Sequence, residues 1–195
     1  GYMARGDRQG AWRLTSEMIN LLLVSISVVC AVAALFAPHL VSGVLAPGFS
    51  PQKQALTVPL VQVMLVCPVI FGVSGLVMGV LNAQQQFLLP GLAPAAYNLG
   101  IIAGAWLLIP PLGPMGAALG AVAGALLHLL IQVPGLLKTG WRYVPALSLR
   151  DEGVRHVLRL MAPRVLGLAV VQINFWVETN LASGLGSGAV AALNY

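Results

Sequence analysis

Few side chains in this sequence could do chemistry, and most stand alone among apolar neighbours. Glu178 is the one carboxylate that falls well inside a long apolar run. If that run crosses a membrane, an ionised acid near its middle costs at least about 2.5 kcal/mol on insertion scales, so the group is paired, protonated or functional. Asn174, one helical turn earlier, could hydrogen-bond a neutral Glu178; the alternative role is a hard oxygen ligand for a cation. Asp151 and Glu152 lie beside Arg150 and Arg155 at the head of an apolar segment, where acids stabilise a helix N-terminus. His39, His128 and His156 fall on different segments, and Cys30 and Cys67 each sit in an apolar run. Such a thiol behaves as a small hydrophobe, and a metal centre needs several ligands together. Catalysis on lipid phosphates would require acids, histidines or metal ligands clustered near one interface. With no such cluster, no nucleophile elbow and no phosphate loop, the sequence is expected to encode no enzyme and to need no metal or cofactor.

Composition sets the elements that must position these residues. Hydrophobic residues make up 58% of the sequence and charged residues 8%, and the mean hydropathy is +0.90, whereas soluble domains carry about 25% charge. A signal peptide would supply one short apolar region near the N-terminus; here apolar runs recur to the end. The net charge of +5 gathers beside those runs, not on a soluble face with stacking aromatics, so no nucleic-acid partner is expected. Backbone groups in lipid must be satisfied internally, which leaves helices or closed barrels, and the runs lack the alternation of barrel strands. An all-α integral membrane protein follows, a polytopic bundle of about five transmembrane helices at 18–36, 55–81, 93–109, 115–137 and 157–185, each near the ~20 apolar residues a bilayer core requires.

Charge orients the spans. Arg5, Arg8 and Arg13 precede the first, and Lys138, Arg142, Arg150, Arg155 and Arg159 lie around the link between the fourth and fifth. The first connection carries only Lys53 and the third no base. Positive charge stays cytoplasmic, and four crossings return the chain to the same side, so the N-terminus, the 82–90 connection and the 138–152 segment are all expected inside. Glycines recur four apart at Gly75 and Gly79, at Gly100 and Gly104, and at Gly116, Gly120 and Gly124, a spacing that lets helix backbones touch. Pro59, Pro68 and Pro134 are expected to kink or break their helices. Gln62, Asn98, Gln132, Gln172, Asn174 and Glu178 are expected to face inward, because polar groups in a bilayer avoid lipid. For the amides the plain role is a helix-to-helix hydrogen bond; Asn98, near Pro94, could also bond freed backbone groups.

The run Phe87-Leu88-Leu89-Pro90-Gly91-Leu92-Ala93-Pro94-Ala95-Ala96-Tyr97-Asn98-Leu99-Gly100-Ile101-Ile102 resembles the connection between the fourth and fifth helices of the MurJ/MviN family. Those are the lipid II flippases of the multidrug/oligosaccharidyl-lipid/polysaccharide exporter superfamily. Leu35-Phe36-Ala37-Pro38 with Leu45-Ala46-Pro47-Gly48-Phe49 is similar to the end of that family's third helix. Leu160-Met161-Ala162-Pro163-Arg164 with Gln172-Ile173-Asn174 and Leu181-Ala182-Ser183 is similar to its seventh, and Gly186-Ser187-Gly188-Ala189 before Leu193-Asn194-Tyr195 to the opening of its eighth. The resemblance implies helices three to seven of a larger two-lobe transporter of fourteen helices. Residues 1–137 would complete the first lobe, 138–152 would be the cytoplasmic inter-lobe linker, and 153–195 would begin the second lobe. Further spans are expected on both sides.

The implied function is translocation of lipid II, the undecaprenyl-pyrophosphate-linked peptidoglycan precursor, across the bacterial cytoplasmic membrane by alternating access. A polysaccharide-unit or drug exporter of the same superfamily and a non-transporting scaffold subunit are the alternatives. Lipid II and membrane lipids are the implied partners. Arg164, Asn98 and Asn174 are the candidate substrate-binding residues: a guanidinium fork suits pyrophosphate oxygens, although Arg164 could instead snorkel to the interface. Glu178 is the candidate cation-binding residue, for sodium or a proton that resets the lobes. The family's head-group arginines lie chiefly in the first two helices, outside this chain. The orientation is open to test with single cysteines at positions 9, 85 and 139, in a background lacking Cys30 and Cys67. All three should resist an impermeant thiol reagent in intact cells, and labelling of Thr139→Cys from outside would reverse the topology.

Overall fold

The computed structural model describes residues 6–46, 48–148 and 151–183, the side chains of 175, 176 and 178–183 excepted. The 184–188 turn and the further helix expected after it lie outside the described residues. Two compact units are present, Gly1–Leu147 and Ser148–Tyr195. Helices and turns account for most of the described residues, among which there is no strand; residues 141–148 are in neither. Five stretches are long and apolar enough to cross a membrane: Arg8–Leu35, Pro51–Ala83, Leu88–Leu112, Pro114–Lys138 and Glu152–Asn174.

In the first unit, α1 (Arg8–Leu35) begins ten residues before its expected apolar span because Asp7 caps it, accepting the Gly10 N–H on Oδ1 at 2.8 Å. The polar first turns are held by an Arg13–Glu17 pair at 3.0 Å with i,i+4 spacing, a helix-stabilising arrangement. At 28 residues the helix is about 42 Å long, so one end projects beyond a hydrocarbon core of about 30 Å. A short α2 (Ala37–Leu40) and a π-helical turn at Val41–Leu45 follow.

The second span is two helices, α3 (Pro51–Met64) and α4 (Val66–Ala83). Pro68 supplies no N–H for the Met64 carbonyl four residues back and its ring collides with it, and Met64 is where α3 ends. The same logic divides the fourth span into α6 (Pro114–Leu130) and α7 (Val133–Lys138): Pro134 stands four residues after Leu130. Pro59 does not break its helix, since α3 runs through it. Between these spans, α5 (Leu88–Leu112) connects to α6 through Gly113 alone, at φ +58° and ψ −139°. A side chain disfavours that backbone geometry, so glycine makes the tight antiparallel reversal possible.

The reversal brings α5 and α6 together along a seam of glycines. A Cβ on Gly100 would overlap the backbone of Gly124, one on Gly104 would overlap Gly120, and one on Gly116 would overlap Leu108. The contacts step four residues along each helix in opposite directions, so the expected glycine spacing is used here. Gly75 and Gly79 are different. A Cβ on either meets nothing within 4 Å; α4 instead approaches α1 at Gly72, where a Cβ would come within 2.5 Å of Leu22 and 2.9 Å of Ile26. Equal spacing therefore marks a contact on α5 and α6 and an open face on α4. A core of Cys67, Ala121 and Ala125, with Ile70, Phe71 and Ile101 against it, joins α4 to this hairpin, and Val77, Leu81, Leu136 and Trp141 form a second cluster. That second cluster places the ends of α4 and α7 and the segment after α7 at one end of the bundle. The start of α1 lies there too, through contacts of Ser16 and Asn20 with Val144 and Ala146.

The second unit, described by itself, is α8 (Glu152–Ser183). Asp151 caps it, accepting the Gly153 N–H at 2.8 Å and the Val154 N–H at 3.4 Å, which accomplishes the N-terminal role expected of the acid pair. The helix continues through Pro163.

The seam predicts an asymmetry among glycines of equal spacing. In detergent unfolding of the chain, Gly104→Ala and Gly120→Ala should each cost about 1–3 kcal/mol through overpacking. Gly75→Ala should stay within about 0.5 kcal/mol, the range of substitutions that touch nothing. Equal losses at all three positions would contradict the packing described.

Candidate functional site

Polar groups buried in a lipid-embedded bundle need partners, and the first unit meets that requirement at the α6–α7 break. Pro134 ends the helical ladder, and the Gln132 N–H turns to the Leu129 carbonyl at 3.1 Å. The His128 carbonyl takes the side chain of Gln132 instead, with Nε2 donating at 2.9 Å. That bond fixes which end of the amide is nitrogen. The second hydrogen of Nε2 goes to Ser74 Oγ on α4 at 2.8 Å, and Ser74 Oγ lies 2.7 Å from His128 Nδ1. The Ser74 hydroxyl thus joins Gln132 to His128, and the direction of its bond to Nδ1 follows the imidazole tautomer. Ser74 and Gln132 are fully buried and His128 is 8% exposed. Phe71 stands edge-on to the imidazole at 5.2 Å and to Tyr97 at 5.1 Å. Gln132 Oε1 is buried without a hydrogen-bond partner.

A second polar group of contacts lies at the start of α1. Residues 139–147, expected as the opening of a linker, group with the first unit and run against that helix. The Val144 N–H donates to Ser16 Oγ at 3.1 Å, Asn20 Nδ2 donates to the Ala146 carbonyl at 2.8 Å, and Tyr143 OH donates to Asn20 Oδ1 at 2.7 Å. Trp141 is edge-on to Tyr143 at 5.9 Å. Beside this strap, Gln9, Trp12, Arg13, Arg142 and Val144 line an open cleft of about 290 Å³. Glu17 is 1% exposed; its Oε1 accepts from Arg13 Nε at 3.0 Å while Oε2 is buried with no hydrogen-bond partner. Glu178 is thus not the only carboxylate well within a membrane-length helix, because α1 starts early enough to include Glu17.

The residues singled out from sequence fare differently. Gln132 is buried as expected. Gln62 is exposed, yet its Nε2 donates to the Ala34 carbonyl of α1 at 3.0 Å, the helix-to-helix bond proposed for the amides. Asn98 is exposed on the first unit, contrary to an inward position. It lies about 200° around α5 from Gly100, so the seam that buries Gly100 turns Asn98 away from α6. Arg164, Gln172 and Asn174 are exposed on α8, with Arg164 and Asn174 about 15 Å apart along the axis. Asn98 and these α8 residues belong to separate units. The side chain of Glu178 lies outside the described residues. No three metal-ligating side chains come together among the described residues.

A model of the family described as lipid II flippase MurJ matches residues 2–195. The chain belongs to the MurJ family. It is 34% identical over 190 residues to the lipid II flippase MurJ of Burkholderia cenocepacia, covering 93% of this chain and 37% of that protein. A probable lipid II flippase MurJ of Synechocystis is 28% identical over 210 residues, covering 99% and 38%, and one of Haemophilus influenzae is 31% identical over 118 residues, covering 60% and 23%. The chain thus spans less than two fifths of the length of these relatives. Family membership and five membrane-length helices make it part of a multi-pass protein of the bacterial inner membrane.

Sequence reasoning set His128 aside because the histidines are far apart, and it weighed neither Ser74 nor Glu17. The available signal was local: His128 and Gln132 are four apart, on one face of a helix about to be broken by Pro134. The network predicts a measurable coupling. In a double-mutant cycle of Ser74→Ala and Gln132→Leu, read by unfolding in detergent, the interaction energy should fall between about 0.6 and 1.7 kcal/mol, the range for hydrogen bonds between membrane helices. Strict additivity would mean the two side chains do not share the bond.

Proposed function

We propose that the complete protein moves lipid II across the cytoplasmic membrane by alternating access, and that this chain supplies helices three to seven. The family match over residues 2–195 carries the reading, and the proteins named lipid II flippase among the relatives support it. In this reading residues 1–137 complete the first lobe and 153–195 begin the second. No covalent bond changes; the work is done by exposing one cavity to each side in turn, so the protein is a transporter and not an enzyme. A lobe that rocks must move as a block. The glycine seam between α5 and α6 and the bonded contact of α4 with α6 suit that demand, because closely packed interiors transmit displacement without deforming.

Asn98 faces away from the seam and is therefore available to helices contributed by the rest of the protein. Arg164 offers a guanidinium for pyrophosphate, and Asn174 adds an amide on the same helix. Glu178 is proposed as the acid that takes up the coupling cation, sodium or a proton, with other oxygens supplied by second-lobe helices outside this chain. Glu178 follows Asn174 by four residues on α8, the spacing of one helical turn.

The test is expression of the whole gene in cells depleted of their own flippase. Wild type should restore growth and outward-facing lipid II. Glu178→Gln, which keeps the shape and removes the charge, should insert normally yet export slowly and without response to the ion gradient. Absence of export from well-expressed wild type would refute the transport reading, and unchanged ion dependence in Glu178→Gln would remove only the cation role.

A further inference from the structure

We propose that the cleft between the start of α1 and residues 142–144 binds the phosphodiester head group of an anionic phospholipid of the surrounding membrane. This role is separate from the transport reading and does not rest on it. Two arginines distant in sequence, Arg13 and Arg142, line the open cleft of about 290 Å³ together with Gln9, Trp12 and Val144. Guanidinium forks suit phosphate oxygens, and the Gln9 amide adds a neutral donor. Trp12, 8% exposed, and Val144 supply an apolar wall, which a free ion would not use and the glycerol and first acyl carbons of a lipid would. Basic residues prevail at this end of the unit, where Arg8, Arg13, Lys138 and Arg142 outnumber Asp7 and Glu17. Basic pockets between membrane helices are a common means of holding anionic lipid.

Buried contacts hold both walls of the cleft in place. Glu17, 1% exposed, accepts from Arg13 Nε at 3.0 Å and so fixes the plane of that guanidinium. Ser16, fully buried, donates to the Trp12 carbonyl at 2.8 Å and accepts the Val144 N–H at 3.1 Å, which joins the two walls. Tyr143 turns to Asn20 Oδ1 at 2.7 Å, while its neighbours Arg142 and Val144 both line the cleft. The depth also fits a lipid. Arg13 stands about 33 Å along α1 from Leu35, close to the ~30 Å thickness of a hydrocarbon core. With Leu35 at one interface, the Arg13 guanidinium reaches head-group level at the other. The volume is at the small end of ligand sites, which suits a phosphate with a small substituent such as glycerol.

The experiment uses the full-length protein in phosphatidylcholine nanodiscs with a minor share of phosphatidylglycerol, a trace of which carries a photoreactive group on its head group. Cross-links mapped by peptide mass spectrometry should fall on residues 9–13 and 142–144 of wild type. Excess unlabelled phosphatidylglycerol should displace them, and neither inorganic phosphate nor further phosphatidylcholine should. Arg142→Gln should lower labelling about fivefold or more, the loss of one basic group close to an anionic head group, and Arg142→Lys should lose less. Arg13→Gln would leave Glu17 buried without its cation and so risks the fold itself. Gln9→Glu, at an exposed position, is the second variant instead, and should lower labelling by setting a negative charge against the phosphate. Undiminished labelling in both Arg142→Gln and Gln9→Glu would overturn the site. Displacement by phosphatidylcholine or by inorganic phosphate would overturn the anionic-lipid assignment, the latter making the cleft a site for soluble anions. So would displacement by undecaprenyl pyrophosphate at concentrations where phosphatidylglycerol has no effect, since the cleft would then be part of the substrate path.

Discussion

Everything in the first unit depends on how closely α5 and α6 can approach. Three pairs of small or backbone surfaces, Gly100 with Gly124, Gly104 with Gly120 and Gly116 with Leu108, leave no room for a side chain between the helices. In lipid the hydrophobic effect gives helices little reason to associate, so such contact of backbones is a main source of cohesion. Gly113 makes the approach possible by closing the hairpin in one residue. With the pair fixed, α6 offers Ala121 and Ala125 to α4, and α4 in turn offers Gly72 to α1. The order of packing thus runs outward from one seam.

Two prolines then decide where polar groups are needed. Pro68 and Pro134 each end a helix at the residue four before them, and each leaves backbone groups short of partners. At the second break the side chain of Gln132 substitutes for the missing backbone donor at the His128 carbonyl and, with its other hydrogen, binds Ser74 across the bundle. A local defect of the ladder therefore becomes a tertiary contact. At the opposite face of the same logic, Ser16 and Asn20 satisfy backbone groups of a segment that has no helix to satisfy them.

Much of this was legible in the sequence, and the failures have physical causes. The spans and their number follow from hydropathy, which reports solvent preference directly. Glycine spacing reports which residues share a face but not whether that face has a neighbour, so Gly75 and Gly79 read the same as Gly100 and Gly104 and differ in fact. The early start of α1 escaped a hydropathy reading because residues 8–17 are polar, although Asp7 is a favoured cap. Residues 139–147 read as a linker because they are polar and lack helical period, while Trp141, Tyr143 and Val144 were the sign that they dock. Ser74 and His128 are 54 positions apart, and no local pattern joins residues at that distance. Asn98 was placed inward by the rule that amides avoid lipid, and that rule speaks of the whole bundle, of which this chain is a part.

Under the transport function proposed above, the first unit is a lobe that keeps its internal packing while its position changes. The seam is the feature that reading leans on most, since a hairpin that could slide or splay would dissipate the motion. A cryo-electron microscopy map of the full-length protein, detailed enough to place backbone carbonyls, measures it directly. The expected result is van der Waals contact between the backbones of Gly104 and Gly120 and of Gly100 and Gly124. A gap wide enough for side chains between α5 and α6, or a register shifted so that these pairs do not meet, would contradict it.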